Sequence, residues 1–365
     1  MTANRLGAAI MTHPRRLELA RGLAASLAPE PVRIVVDPKP DEPPGLLRTS
    51  MCAWSAIEPG TTHHLVFQDD VEVAPGFLAR VRADVEAHPD AALAYFANWD
   101  SLDGAAVRLG VFCRADWVET TSYWTPAQAL VLPVDVARAY VRFGAGMPVD
   151  LFDDIVIGRL LSSTGVAALI SVPSLVDHRE LPSLARPDGA HLGPACFQPA
   201  LAARRPPAGP PLALPAIPML VRGRAMCAYE DGRTGPWRTR RWRLVPAAAH
   251  LDRLGHGAGR RAAAFAAALR ALPRDVDPRL LRALRELWLT AYAIGAESAR
   301  LAGERRAASD GDEPWRRCEE GALASLAAGA AGTGLERRDA ASLSGELRLL
   351  CAEAAEDGAA AAIRS

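Results

Sequence analysis

Lysine is almost missing from this chain: Lys39 is the sole lysine among 42 basic residues, the rest being arginine. That bias reads as genome composition and not as function. An excess of positive charge is missing too, since 42 acidic residues balance the 42 basic ones to a formal net charge of +0. A protein that coats nucleic acid or adheres to an anionic membrane surface needs such an excess, so no nucleic-acid partner is expected. Long apolar runs are lacking: the most apolar stretches, 165–176 and 212–221, are too short to span a bilayer or are broken by proline. No integral membrane segment is therefore expected. Residues 1–10 have neither the charged start and apolar stretch nor the cleavage site of a secretory signal, which makes the cytoplasm the expected location. The six cysteines (Cys52, Cys113, Cys196, Cys227, Cys318 and Cys351) form no CxxC pair and no zinc-ligand spacing, so reduced, buried thiols are expected. A glycine-rich phosphate loop of the Walker or dinucleotide type is absent as well, which disfavours kinases and nicotinamide enzymes.

What is present is a globular balance, with half of the 365 residues hydrophobic and 23% charged, enough for about two domains at roughly 150 residues each. The first half alternates short β-rich runs with helical stretches, the pattern of an α/β fold with a mostly parallel sheet. Strands are predicted at 5–11, 32–36, 64–67, 92–96, 128–132 and 166–172. Helices are predicted at 17–27, 46–57, 76–88, 135–143 and 153–161, with a less regular tryptophan-rich region before 128. From 201 to 218 proline is too dense for the interior of a helix or sheet, so an extended linker or strap is expected. Two strand-like runs, 219–230 and 237–245, flank the turn Asp231-Gly232-Arg233-Thr234-Gly235 and predict a hairpin. Beyond it alanine, leucine and arginine recur with helical period, as at Leu280, Leu281, Leu284 and Leu287. The expected organisation is an α/β unit over 1–200, a proline-rich linker with a β-hairpin over 201–245, and an α-helical unit over 246–365.

In parallel α/β sheets ligands bind at the carboxyl ends of the strands, where loops and helix N-termini converge. Three predicted strands end there in polar residues: Thr12-His13-Pro14-Arg15-Arg16, Asp37-Pro38 and Gln68-Asp69-Asp70. Two carboxylates directly after an apolar strand are costly to bury without a cation. Hard oxygen ligands suit Mg²⁺ or Mn²⁺, whose shells are completed by water and phosphate oxygens. The same pair would equally cap the turn before Pro75. Arg48 offers a planar fork to a diphosphate, or is a solvated helix arginine; Asp37 is a ribose or base contact, or a turn residue. Asp153 and Asp154 precede a helical run, where acidic residues satisfy the helix dipole, and where one of them would deprotonate an acceptor hydroxyl within its reach. Trp99, Trp117, Tyr123 and Trp124 supply either core packing or faces for a sugar.

Val66-Phe67-Gln68-Asp69-Asp70-Val71, followed by Pro75-Gly76-Phe77, resembles the strand and DxD region of GT-A-fold glycosyltransferases, the nucleotide-sugar-dependent enzymes. Thr12-His13-Pro14-x-Arg16 and Val35-Val36-Asp37-Pro38 resemble their first two nucleotide-contacting loops. Asp153-Asp154-Ile155-Val156-Ile157-Gly158 resembles the acceptor-side carboxylate helix, and Val172-Pro173-Ser174-Leu175-Val176-Asp177-His178 resembles a closing segment of many bacterial members. The resemblance spans residues 5–184, about half the chain. It departs from the usual acidic triplet at Gln68, an amide where a carboxylate is common. It implies a Rossmann-type GT-A sheet flanked by helices and a hexosyltransferase-type activity moving a sugar from a nucleotide diphosphate, most commonly UDP, to an acceptor hydroxyl. Thr12, Arg16, Asp37, Arg48, Gln68 and Asp69 would face the donor, Asp70 and His178 would hold Mn²⁺ or Mg²⁺, and Asp153 or Asp154 would act as base. A catalytically inactive binding or assembly protein of the same fold, and a metal-dependent nucleotide-sugar hydrolase or nucleotidyltransferase, remain as alternatives.

Overall fold

The computed structural model describes residues 4–42, 45–148, 150–179, 181, 184, 193–201, 210–273, 277–302, 313–330 and 343–363. β1 (Leu6–Thr12) leads through a 3₁₀ turn at Pro14–Arg16 into α1 (Leu17–Ser26) and then β2 (Arg33–Val36), parallel to it. α2 (Leu46–Ser55) crosses to β3 (His63–Gln68), which pairs with the other side of β1. The chain continues through β4 (Val71–Val73), α3 (Phe77–Ala87) and β5 (Ala92–Ala94), then α4 (Leu102–Phe112) and β6 (Trp117–Glu119). β7 (Ala129–Pro133), α5 (Val134–Gly144), α6 (Asp153–Thr164), β8 (Ala168–Ser171) and β9 (Val176–His178) complete this half.

Among the described residues the central sheet has seven strands in the order β2-β1-β3-β7-β5-β8-β6. Only β6 and β7 run against the others. The fold is thus α/β with a mostly parallel, mixed sheet. Alternate residues serve alternate faces. Ile10, Leu65, Phe67, Leu93 and Val131 pack under α1 and α3, whereas Ala9, Met11, Val66, Ala94, Leu130 and Leu132 pack under α2, α5 and α6.

The region before residue 128 is more regular than its sequence suggests. Ser101 caps α4 by accepting from the Gly104 amide at 2.9 Å, and residues 103–111 of that helix are buried all round. A helix without a wet face has no 3.6-residue polarity pattern to read. The predicted strand at 219–230 is two strands, β10 (Ile217–Val221) and β11 (Arg224–Thr234), joined where Arg222 and Gly223 both take positive φ (48° and 73°), as a primed hairpin turn requires. With β12 (Thr239–Pro246) they form a three-stranded antiparallel sheet, as the predicted hairpin requires, but residues 231–234 of the predicted turn belong to β11, whose register shifts between Glu230 and Arg233, and the chain reverses at 235–238, where the Arg238 amide donates to the Gly235 carbonyl at 3.2 Å. Of the expected strap, 202–209 lie outside the described residues.

The remaining helices are α7 (Ala247–Arg253), α8 (Ala258–Ala271), α9 (Leu281–Ala302), α10 (Glu313–Ala330) and α11 (Ser344–Ile363). α9 and α11 cross closely: a Cβ on Gly295 would meet the Ala355 carbonyl oxygen at 1.9 Å, and one on Gly358 the Tyr292 carbonyl oxygen at 2.1 Å. Leu287, Trp288 and Tyr292 are buried in this helical core, each contributing on the order of 2 kcal/mol by area. α10 meets the first half of the chain through Trp315, Cys318 and Ala322, and the Cys196 thiol donates to the Cys318 carbonyl at 3.2 Å. All six cysteines are free, and all but Cys52 are buried. Among the described residues no helix is long and apolar enough to cross a membrane.

Candidate functional site

The chain leaves β1 toward β2 on one side and returns to β3 on the other, so the carboxyl ends of β1 and β3 border the crevice where an open α/β sheet binds its ligands. Register places Thr12 opposite Val36, and Met11 opposite Gln68, so Thr12, Asp37 and the Gln68-Asp69-Asp70 run emerge at one edge. Gln68 is still part of the ladder, its amide donating to the Gln128 carbonyl at 3.0 Å. The Thr12 hydroxyl crosses the crevice and donates to Asp69 Oδ2 at 2.6 Å. After it, His13 Nδ1 accepts from the Arg15 amide at 3.2 Å and fixes the 3₁₀ turn that presents Arg16. Arg16 Nη1 lies 2.5 Å from Asp70 Oδ2 and 3.3 Å from Asp69 Oδ1, bridging the two carboxylates. Burial pushes the Asp69 carboxyl above the ordinary carboxylate range, against the opposing pull of Thr12 and Arg16.

His178 arrives from far along the sequence. β4 and β9 pair antiparallel, Val71 opposite His178, and the Arg179 amide donates to the Asp70 carbonyl at 2.8 Å. His178 Nε2 thereby stands 3.5 Å from Asp70 Oδ1. Its other nitrogen, Nδ1, is 3.1 Å from the Arg179 carbonyl oxygen. A carbonyl only accepts, so Nδ1 carries the proton, and in the neutral ring Nε2 turns a lone pair toward a carboxylate oxygen. A divalent ion between the two groups, or a proton on Nε2, answers both. This donor set, one carboxylate and one imidazole whose tautomer is fixed by an outer hydrogen bond, fits a divalent ion completed by water and phosphate oxygens. Among the described residues no group of three or more His, Cys, Asp or Glu side chains is gathered as for a protein-only metal cage.

Arg48 and Asp37, both predicted to face a nucleotide, face one another. Arg48 Nε and Nη2 reach Asp37 Oδ1 and Oδ2 at 2.8 and 2.7 Å, a two-pronged ion pair, and Nη1 reaches Glu42 at 3.3 Å. The Arg48 hydrogen bond holds the Asp37 carboxyl below the usual range. Arg48 thus orients Asp37, with its fork already engaged; the sequence signals neither partner.

α2 also reaches the other wall of the crevice. Ser50 lies 3.0 Å from the Tyr140 hydroxyl and close enough to Asp153 to favour its ionised form. Asp153, at the start of α6, is buried, and burial pushes its carboxyl above the ordinary range. Asp154 is half-buried; its Oδ1 accepts from the Ile155 amide at 2.6 Å, and its carbonyl accepts from Thr125 at 3.1 Å. Of the two predicted bases, Asp154 is the less buried. The loop after β6 packs on α6 so tightly that a Cβ on Gly158 would meet the Tyr123 carbonyl oxygen at 2.6 Å, while the Tyr123 side chain is 57% exposed. Trp117 lies in the core, stacked edge-on against Tyr95, and not at a sugar-binding surface.

A cleft of about 490 Å³ opens at the opposite sheet edge, lined by His88, Asp90, Glu119 and Thr164. Those residues make no convergent cluster, so the carboxyl edge remains the better candidate. No protein-family model matches the chain, and no curated protein matches it closely enough to count as a relative.

Proposed function

We propose that the chain is a metal-dependent glycosyltransferase of the GT-A type, moving a sugar from a nucleotide diphosphate, UDP being the commonest donor nucleotide of such enzymes, to an acceptor hydroxyl. The observation that carries this reading is the Asp70–His178 gap beside Arg16, at the carboxyl ends of β1 and β3. A divalent ion bound there would supply Lewis-acid neutralisation of the departing diphosphate. Asp70 and His178 would hold it, and Thr12 would keep Asp69 oriented beside them. Arg16 supplies a guanidinium within reach of the same oxygens, suited to phosphate. Asp37, fixed by Arg48, would accept hydrogen bonds from the ribose or base. Asp154 would take the proton of the acceptor hydroxyl as its oxygen bonds to the anomeric carbon and the nucleoside diphosphate leaves.

Calorimetry with UDP, GDP, CDP and dTDP, with and without Mn²⁺, tests the reading. Metal-dependent binding of one nucleotide, lost in Asp70→Asn, is expected. A well-folded native protein that binds none of them would end the transferase reading in favour of a non-catalytic one.

A further inference from the structure

We propose that Arg16 is a built-in counter-ion, which keeps the Asp69–Asp70 pair closed to a free divalent ion and releases it when a diphosphate engages the guanidinium. The inference rests on the metal-dependent reading above and adds an order of events to it. Arg16 Nη1 contacts both carboxylates, at 2.5 Å and 3.3 Å, so two negative charges and one positive charge leave the cluster with a single net negative charge. That cluster is half as attractive to a dication as the bare pair would be, and the guanidinium also repels the ion directly at close range. The repulsion is poorly screened, because the Arg16, Asp69 and Asp70 side chains are 13%, 8% and 9% exposed.

Asp70 divides its two oxygens between the two cationic possibilities: Oδ2 toward Arg16 and Oδ1 toward His178. Asp69 does not depend on Arg16 for its orientation, since the Thr12 hydroxyl holds its Oδ2 at 2.6 Å. Withdrawal of the guanidinium therefore exposes carboxylates already in position. The Arg16 amide is tied to the His13 carbonyl at 2.8 Å at the junction of the 3₁₀ turn and α1, so its backbone is anchored independently of the guanidinium. A diphosphate offers the arginine fork more charge than a carboxylate does, and so draws it off the pair while bringing its own oxygens to complete the metal shell. Free metal then binds weakly, and metal with diphosphate binds well.

The test is Mn²⁺ binding followed by electron paramagnetic resonance, without turnover, on the native protein and on Arg16→Gln and Arg16→Met, each checked by circular dichroism; Met keeps the apolar stem if Gln folds poorly. Both variants are expected to bind Mn²⁺ alone at least about tenfold more tightly than the native chain. Adding Asp70→Asn to either is expected to remove the gain. Saturating UDP should tighten Mn²⁺ binding to the native protein more than to Arg16→Gln. Equal or weaker Mn²⁺ binding by both variants overturns the counter-ion role, and leaves the metal reading intact if native binding still needs Asp70. A gain that survives Asp70→Asn places the ion elsewhere and also overturns it. If no form binds Mn²⁺, the counter-ion and the metal both fall, and binding of a nucleotide without metal decides separately whether a donor site exists.

Discussion

The chain contains two carboxylate–histidine pairs that use the same chemistry to opposite ends. In the helical half, His250 Nε2 lies 2.9 Å from Glu297 Oε1, and its Nδ1 lies 2.5 Å from the Tyr229 hydroxyl. Arg300 clasps the same carboxylate at 2.7 Å, and both members of the pair are 3% exposed or less. Burial alone would raise Glu297, but the hydrogen bonds from His250 and Arg300 outweigh it and keep the carboxyl below its ordinary value. The hydroxyl can donate to Nδ1, which leaves Nε2 as the nitrogen that faces the carboxylate, and the cluster is a charged clasp. At the sheet edge the far nitrogen meets a carbonyl instead, and in the neutral ring the near one turns a lone pair toward Asp70. What sits behind the imidazole decides whether a His–carboxylate pair is closed or is a socket.

The sharpest break of that comparison is Asp70→Asn, expected to weaken metal-dependent nucleotide binding at least about a hundredfold, with a melting temperature close to native. Unchanged binding would mean the socket is no socket. Glu297→Ala should do the reverse, costing about 3 kcal/mol in urea unfolding through the stranded His250 and Arg300, while nucleotide binding stays native. A loss of nucleotide binding without a loss of stability would instead give the helical pair a functional role.

Smaller effects follow from carboxylates elsewhere. Burial pushes Asp84 from the ordinary 3.8 up to about 6, despite Arg80 at 2.9 Å. The native state then holds a proton that the unfolded chain has released, so stability falls as pH rises from about 4 to about 6, by roughly 2 kcal/mol. Urea midpoints against pH should show this decline, and Asp84→Asn should flatten it; a decline of equal size in the variant would assign it to another group. His178→Ala is expected to weaken Mn²⁺ binding about tenfold, with Asp70 retained as ligand. Asp37 works with the opposite sign to Asp84. Its lowered carboxyl stabilises the fold above the ordinary carboxylate range, and that contribution is lost as pH falls through it. Arg48→Met should remove this acid limb, visible as a shallower slope of stability at low pH.

Much of the architecture is legible in the sequence because strands such as 64–67 and helices such as 46–57 are bounded by proline, glycine or charge. α4 escapes because it is buried on every side, and β10 because Arg222-Gly223 is a two-residue turn inside one apolar run. The candidate site is legible only as strand endings. That Arg16 lies across both aspartates, that Arg48 answers Asp37 and that His178 reaches Asp70 are facts of pairing between segments up to 108 positions apart, as for Asp70 and His178, and no local pattern records them. Asp153 and Asp154 are equivalent in sequence and differ only in burial, which α2 and α5 impose.

α2 itself has a further consequence. Arg48 and Ser50 stand two positions apart, which on a helix of 3.6 residues per turn points them to nearly opposite sides, one to Asp37 at the end of β2 and the other to Asp153 at the start of α6. The thickness of one helix thereby gauges the distance between two acidic walls. Loops around the crevice can vary in length without altering that gauge, whereas a change in the tilt of α2 would move both walls at once.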